Sequence, residues 1–277
     1  MMPGRNRHAA EWLRNGVVVV TGASTGLGRA LARGFAARGL AVAGIARNVE
    51  GLRETGAAIA DPDRFRAIRA DVADPAALRA ALAQVESDLG PVAVLMNNAV
   101  IYERGDFLSD PAERVLHHIA VNMGGMVNAA AAALPGMIMR GRGRIVNVGS
   151  FAGEAPVPGS LGLSVSKAGA RAFSLALAAE LSGRLPGITV SEWIPGVLAT
   201  RSGDPAGIAP EIAARWGVCL ALDPAPELHG AVFVRDRQML PRNGWRGRVK
   251  DALLLRRPPR PRRLCIDPPP CPAERRT

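Results

Sequence analysis

A glycine-rich turn lies between a short apolar run and an alanine-rich segment near the start of the chain. Residues 17–20 are four valines, too few for a helix, while residues 29–39 have a helical composition. Between them stands Gly22-Ala-Ser-Thr-Gly26-Leu-Gly28. Glycine lets the backbone turn sharply and approach a ligand, and the first turn of a helix offers unpaired N–H groups to a pyrophosphate. The order of strand, turn and helix therefore predicts a dinucleotide-binding unit, with a purely structural turn as the alternative.

The candidate contacts of a pyrophosphate lie within this turn: Gly22, Ser24, Thr25, Gly26, Leu27 and Gly28. A second buried strand is predicted at residues 41–46, and Arg47 follows it directly. At the end of this strand in a dinucleotide fold, an acidic side chain binds ribose hydroxyls, whereas a basic one can receive a 2′-phosphate. Arg47 therefore favours NADP over NAD as the cofactor. The alternative is a solvated arginine that opens the next helix.

Short apolar runs alternate with helical segments along the rest of the chain. Further strands are predicted at residues 65–70, 92–96, 144–148, 188–194 and 231–234. Helices are predicted at residues 75–89, within 111–139, at 163–181 and at 211–222, the first of them capped by Asp74. This alternation is typical of an α/β fold, a doubly wound parallel sheet (Rossmann-like) with its ligand at the carboxyl edge of the strands.

Charge divides the chain into three parts. Residues 1–16 are a short extension, residues 17–240 form the predicted single domain, and residues 241–277 are a tail rich in proline and arginine. The tail holds eleven basic and three acidic side chains, so most of the net charge of +11 lies there. Its composition predicts disorder. Because Trp245 is its one aromatic side chain, nucleic-acid binding is not favoured.

The remaining composition indicates a cytoplasmic protein. The three cysteines, Cys219, Cys265 and Cys271, have no metal-site spacing and form no disulfide framework. We therefore expect no metal, and we expect the protein to work in a reducing compartment. Residues 1–16 contain no apolar segment of the kind found in a secretory signal. Residues 119–139 are weakly polar but include two asparagines and a proline, which favours a buried helix over a membrane span.

The motifs together resemble the short-chain dehydrogenase/reductase family. The resemblance rests on residues 21–28, on Asp71-Val72 after the third predicted strand, and on Asn97-Asn98-Ala99 after the fourth. It covers roughly residues 17–235. It implies hydride transfer between a nicotinamide and a carbonyl or alcohol carbon. It also implies further cofactor contacts at Asp71, Val72, Asn98, Ala99, Lys167, Pro195, Gly196 and Thr200.

The resemblance also implies which side chains carry the chemistry. In this family a serine bonds the substrate oxygen, a tyrosine transfers the proton, a lysine holds the nicotinamide ribose and lowers the phenol pKa, and an asparagine fixes a relay water. The matching residues are Ser150, Lys167 and Asn122. Lys167 is the one lysine in residues 1–240, which otherwise use arginine. A compact ammonium suits a ribose hydroxyl better than a planar guanidinium does.

The tyrosine position departs from the family pattern. Thirteen residues after Ser150 and four before Lys167 stands Leu163, which has no proton to transfer. General acid–base catalysis is worth on the order of 10²–10⁴ in rate, so its loss predicts a slow enzyme. Tyr102, the one tyrosine, follows the fourth strand and is a possible substitute. Ser164 and Ser166 are poor proton donors and are expected to cap and pack the helix.

Two functions follow. One is an NADP-dependent oxidoreductase acting on a small carbonyl or alcohol, slowed by Leu163. The other is a dinucleotide-binding protein without turnover, which acts as a cofactor sensor or a subunit partner. The resemblance implies a homo-dimer or tetramer built on two largely apolar helices. Members of the family that the chain resembles usually have a longer insertion between the sixth and seventh strands, so we expect an open substrate cleft, or a substrate covered by something else.

Overall fold

The computed structural model describes residues 16–109, 111–201, 203–240 and 260–264. Within these residues eight strands form one sheet in the order β3-β2-β1-β4-β5-β6-β7-β8. They are β1 (Val17–Thr21), β2 (Ala41–Ala46), β3 (Phe65–Arg69), β4 (Val92–Asn97), β5 (Gly143–Val148), β6 (Ile188–Ile194), β7 (Val232–Val234) and β8 (Arg237–Met239). The first seven are parallel, and β8 pairs antiparallel with β7. The predicted doubly wound α/β fold is confirmed.

Seven α-helices connect and cover the strands in the same part of the chain. They are α1 (Gly26–Ala36), α2 (Val49–Ala57), α3 (Pro75–Asp88), α4 (Ala112–His118), α5 (Gly125–Met139), α6 (Leu161–Leu181) and α7 (Pro210–Leu222). A π-helical segment, Ile119–Gly124, joins α4 to α5. Short 3₁₀ turns lie at Pro62–Arg64, Phe151–Gly153 and Pro226–Leu228. The predicted cap of α3 is present, since the Asp74 carboxylate accepts hydrogen bonds from two N–H groups of its first turn.

The sheet has an apolar core on each face, which explains its nearly continuous apolar strands. Along β1, Val18 and Val20 face a core that includes α1 and α7, while Val17 and Val19 face the core beneath α3, α5 and α6. All four valines are buried. Strands covered on both sides are typical of parallel sheets, so the site can lie only at an edge.

The stretch Ala112–Met139 is long and apolar enough, by length and composition, to cross a membrane, a test that core helices of soluble proteins also pass. Its most apolar window is 44% buried. The α5 part packs against α3 and β4. This packing agrees with the buried helix predicted for residues 119–139.

One part of the predicted tail packs on the domain. Residues 260–264 lie beside β8, where Gln238 N donates to Arg262 O at 2.9 Å and Leu264 N to Asp236 O at 2.7 Å. The Leu264 side chain is buried in the core beneath α1 and α7. Polar β8 was not predicted, and its pairing with β7 and residue 263 places it in the sheet. Residues 1–15, 241–259 and 265–277, for which an extension and a disordered tail were predicted, lie outside the described residues.

Candidate functional site at the carboxyl edge

The glycine turn after β1 is held by close packing. Gly22 and Gly26 have φ values of +69° and +52°, which side chains rarely adopt. A Cβ on Gly28 would lie 2.1 Å from the Gly22 carbonyl oxygen. Thr25 precedes α1 without a side-chain cap, and the first turn carries no acidic residue. The N–H groups at the start of α1 are therefore available to an anion, as a pyrophosphate site requires.

The segment after β4 braces this turn from behind. Thr21 Oγ1 accepts hydrogen bonds from Asn98 N at 3.0 Å and Ala99 N at 3.1 Å. The Asn98 side-chain amide donates to Thr21 O at 2.9 Å. Asn98 and Ala99 were predicted as cofactor contacts. In the structure they also join the carboxyl ends of β1 and β4, the point where the strand order reverses and a crevice forms.

One predicted contact beyond the turn, Thr200, lies close to it, and two residues of the turn itself have structural contacts. Gly196, predicted as a further contact, follows β6 and has a φ of +95°. The Thr200 methyl lies 3.2 Å from the position that a Cβ on Gly26 would take, so Thr200 covers the start of α1. Ser24 presents its carbonyl oxygen to Arg29 Nη2 at 2.6 Å. Leu27 is buried in the core, which leaves its backbone N–H as the group that can meet a phosphate.

Arg47 and Asp71 meet at the ends of β2 and β3. Arg47 Nη1 lies 3.6 Å from Asp71 Oδ2, and the two side chains are 57% and 39% exposed. Asp71 Oδ1 accepts a hydrogen bond from Ala73 N at 2.9 Å, which fixes the carboxylate. An exposed pair of this kind is weak, so the guanidinium remains available to a second anion. Val72 is buried, packed against Gly125 of α5.

Lys167 is a buried cation on the inner side of α6. Lys167 is only 3% exposed. Its Nζ donates to the carbonyl oxygen of Val148, the last residue of β5, at 2.7 Å. Burial lowers the pKa of Lys167 to about 8, and the nearby Glu192 carboxyl opposes that shift. The ammonium is thus held at the carboxyl edge, one residue from Gly149-Ser150.

Ser150 and Asn122 lie at the same edge. Ser150 Oγ accepts a hydrogen bond from Ala152 N at 3.2 Å and caps the 3₁₀ turn Phe151–Gly153. Asn122 lies in the π-helical segment, a feature frequent at functional sites. Its side chain accepts from Ile101 N at 2.8 Å and donates to Ile101 O at 3.0 Å. Asn122 therefore fixes the segment that carries Tyr102.

Tyr102 reaches the start of the helix that carries Leu163. Its hydroxyl lies 2.9 Å from Oγ of Ser160, the residue immediately before α6. Ser164 and Ser166 are buried, which agrees with the expectation that they pack the helix. The expectation that they cap it is wrong, because α6 begins at Leu161 and both serines lie inside it. Ser166 Oγ instead bonds Leu163 O at 3.0 Å, while Ser164 Oγ is buried without a partner.

A buried acidic residue near Lys167 was not predicted as part of the site. Glu192 on β6 is 3% exposed and lies 3.4 Å from Arg171 Nη1 of α6. Glu192 is the one charged residue of β6, which was the available sequence signal. His118 bonds backbone groups through both ring nitrogens. Among the described residues no three His, Cys, Asp or Glu side chains form a group able to hold a metal.

Known proteins are similar to this chain over the region that forms the edge. The family model for short chain dehydrogenase matches residues 16–207. Similar relatives include 2-(R)-hydroxypropyl-CoM dehydrogenase of Xanthobacter autotrophicus, 36% identical over 66% of this chain and 75% of its own length. Dehydrogenase/reductase SDR family member 7B of Rattus norvegicus is 36% identical over 68% and 60%. The 3-oxoacyl-[acyl-carrier-protein] reductase FabG of Escherichia coli is 33% identical over 66% and 74%.

The match to the family model spans the elements that form the edge. The match to the model covers β1 through β6 and includes the glycine turn, Asn122, Ser150 and Lys167. The family implies a nicotinamide dinucleotide cofactor, and the free N–H groups of α1 and the buried Lys167 ammonium fit one. The chain belongs to the short-chain dehydrogenase family of oxidoreductases.

Proposed function

We propose that this protein is an NADP-dependent oxidoreductase that interconverts a small carbonyl compound and its alcohol at a low rate. The observation that carries the proposal is the buried Lys167 ammonium, held on Val148 O at the same sheet edge as the glycine turn. Within the described residues this ammonium donates one hydrogen bond, so it keeps N–H groups for a ligand, which favours a ligand-binding role. The relatives' names refer to hydroxy and oxo compounds, which supports this substrate class.

The chain's own residues would divide the work along the edge. The first turn of α1 would bind the pyrophosphate, and Arg47 the 2′-phosphate, which is the reason for proposing NADP over NAD. Asp71 and Val72 would flank the adenine, while Pro195, Gly196 and Thr200 would close over the nucleotide. The bound cofactor would supply the hydride. Lys167 would hold the nicotinamide ribose through the ammonium protons that Val148 does not use.

The substrate oxygen would be bound near Ser150. Ser150 Oγ accepts its hydrogen bond from Ala152 N, so the hydroxyl proton remains available to the substrate oxygen. Leu163 can neither give nor take a proton, which is why we expect slow turnover. The phenol of Tyr102 reaches the start of α6, where it is hydrogen-bonded to Ser160. It is the proposed substitute donor.

A second function is favoured by Leu163 itself. Without a proton donor at that position the same site would bind the dinucleotide and not turn it over, so the protein would act as a cofactor sensor or as a subunit of an active relative. Exposed apolar side chains on α4 and α6, including Leu116, Val165 and Leu175, support a homo-dimer or tetramer. Analytical ultracentrifugation of the purified protein would measure the oligomer.

The experiment that separates the two functions compares the native protein with Leu163→Tyr. NADPH binding is measured by nucleotide fluorescence, and carbonyl reduction by NADPH consumption with a panel of ketones, aldehydes and 3-oxoacyl thioesters. We expect both proteins to bind NADPH, and the variant to reduce at least one substrate on the order of tenfold faster or more. Tyr102→Phe is the matched test of the substitute phenol, and it should abolish the native activity.

Three outcomes would count against these functions. Absence of NADPH binding by the native protein contradicts both of them. Binding without any gain from Leu163→Tyr supports the protein without turnover. An unchanged native rate in Tyr102→Phe removes Tyr102 from the proton path.

A further inference from the structure

An acidic side chain interrupts the apolar run of β6 on the face that α6 covers. Trp193 packs in the core beneath α1 and α7, so its neighbour Glu192 points to the opposite face. Its register partner on β5 is Asn147, and on β7 it is Val232. Neither partner carries a charge. A carboxyl only 3% exposed at such a position must be compensated by groups from other elements.

Glu192 belongs to a cluster of four charged side chains. Its Oε2 lies 3.4 Å from Arg171 Nη1, and the same nitrogen lies 2.5 Å from Oε1 of Glu154. Arg171 follows Lys167 by one helical turn on α6, so both cations project from the same side of that helix. Ion pairs therefore join Glu192, Arg171 and the partly exposed Glu154, and Lys167 stands one helical turn away from them.

Space for the carboxyl is provided by a glycine at the edge of the site. A Cβ on Gly149 would lie 2.4 Å from Glu192 Oε1, so an alanine there would displace the carboxyl. Gly149 stands between Val148, whose carbonyl oxygen accepts the Lys167 proton, and Ser150. Val148 pairs with Trp193, one residue along β6 from Glu192. The carboxyl is thus beside the segment that positions both Lys167 and Ser150.

Lys167 has few other sources of negative charge. The residue one turn before it is Leu163, which carries none, and its hydrogen bond within the described residues is to a neutral carbonyl. We propose that Glu192 is a positioning residue whose carboxylate is the counter-ion of the Lys167 ammonium, and that Glu154 controls it by competing for Arg171. The effect of this charge control on nucleotide binding rests on the proposed function. The control of the Lys167 charge by Glu192 and Glu154 does not.

The electrostatics have the signs that this arrangement requires. Burial raises the pKa of Glu192; Arg171 lowers it, Glu154 raises it and Lys167 lowers it. Burial lowers the pKa of Lys167, and Glu192 raises it. The charged groups facing Glu192 are therefore Lys167 and Arg171 from α6 and Glu154 from the segment after β5. Removing the Glu192 charge should make Lys167 lose its proton more easily. Removing Glu154 should act in the same direction but more weakly, because Arg171 can then pair fully with Glu192 and leave less of that negative charge to Lys167.

The test reads the charge of Lys167 directly. The chain contains two lysines, Lys167 and Lys250, so protein grown with ¹³C-labelled lysine gives two Cε signals, and Lys250→Arg assigns them. The signals are followed against pH without cofactor in the native protein, Glu192→Gln, Glu154→Gln and the control Glu180→Gln. Glu180 lies on the exposed side of the same helix, paired with Arg184.

We expect the native Lys167 midpoint near pH 8. Glu192→Gln should lower it by about half a pH unit or more, Glu154→Gln should lower it by less, and Glu180→Gln should leave it unchanged. A midpoint that does not move in Glu192→Gln, or that moves upward, overturns the proposal. Glutamine is isosteric with glutamate. Should Glu192→Gln still fail to fold, the partly exposed Glu154 gives an independent test, and a Glu154→Gln midpoint that does not fall overturns the proposal.

Nucleotide binding provides the second measurement. At pH 8 NADPH affinity should fall about threefold to tenfold in Glu192→Gln, and the difference should shrink at pH 6, where the lysine is protonated in both proteins. A native protein that shows the lysine shifts but binds no NADPH contradicts the proposed function and leaves the charge control standing. NADPH binding together with lysine midpoints that do not move overturns the charge control and leaves the proposed function standing.

Discussion

The carboxyl edge of the sheet consists of two halves that are built differently. The nucleotide half, at the ends of β1 and β4, is made of backbone groups, three tightly packed glycines and the Thr21–Asn98 hydrogen bonds. The reaction half, at the ends of β5 and β6 and the start of α6, is made of side chains. It contains the Lys167–Glu192–Arg171–Glu154 cluster and, in Ser164, a buried hydroxyl without a partner.

This difference shows why one half can change and the other cannot. At Gly22 and Gly28 in the nucleotide half an added methyl group meets backbone, which cannot move without disturbing β1 and β4. In the reaction half a different residue at position 163 alters one side chain on a helix that is anchored elsewhere. The fold and the dinucleotide site are therefore compatible with a leucine at that position. The following predictions test the comparison.

The largest effect is expected from Gly28→Ala in the nucleotide half. Its Cβ would lie 2.1 Å from Gly22 O and 2.7 Å from Asn98 Nδ2, so the turn must shift. We expect the free energy of NADPH binding to weaken by about 3 kcal/mol, on the order of a hundredfold in affinity. Fluorescence titration measures this change. Gly124→Ala is the matched control, because the nearest atom would lie 3.7 Å away. Equal affinity of Gly28→Ala and the native protein would show that the turn is not rigid.

Lys167→Met in the reaction half should separate binding from stability. Burial outweighs the attraction of Glu192 and lowers the pKa of Lys167, so the ammonium is on balance unfavourable to folding, and its removal should raise the free energy of unfolding by about 1–2 kcal/mol at pH 7 while NADPH binding weakens. The native pKa is lowered, so the native protein gains stability as pH rises from about 8 toward 10.5. The advantage of the variant is therefore full below pH 8 and shrinks above it.

Urea denaturation at pH 7 and pH 9.5 measures this difference. Lys250→Met, which removes the other lysine, is the control and should show no such dependence on pH. A Lys167→Met variant that is less stable than the native protein at pH 7 would mean that Lys167 is a structural cation, fully compensated by the fold.

The smallest effect is expected at the outer end of the nucleotide half. Arg47→Asp should lower the ratio of NADPH to NADH affinity about tenfold, because an acid at this position repels the 2′-phosphate and accepts from ribose hydroxyls. Competitive fluorescence titration measures the ratio. Arg53→Asp on the exposed side of α2 makes the same charge change away from the edge and should leave it unaltered. A ratio that Arg47→Asp leaves unchanged would contradict the assignment of NADP.

Most of the fold followed from local patterns. The β2 and β6 boundaries agree with the predicted ones, and the other predicted strands differ by one residue, because a buried parallel strand has a continuous apolar run between turn residues. β8 has no such run, since it is polar and held by pairing at the sheet's edge. Residues 260–264 have a composition typical of disorder, yet Leu264 is buried by contacts distant in sequence.

The sequence by itself determined the nucleotide half, since a strand, a glycine turn and a helix are adjacent along the chain and their geometry depends on local backbone conformation. Only the tertiary structure decided the reaction half. Glu192, Arg171 and Glu154 are separated by tens of residues, and their significance depends on distance and burial, which no local pattern encodes. The same holds for Tyr102, which reaches Ser160 across 58 residues because Asn122 fixes the backbone of its neighbour Ile101.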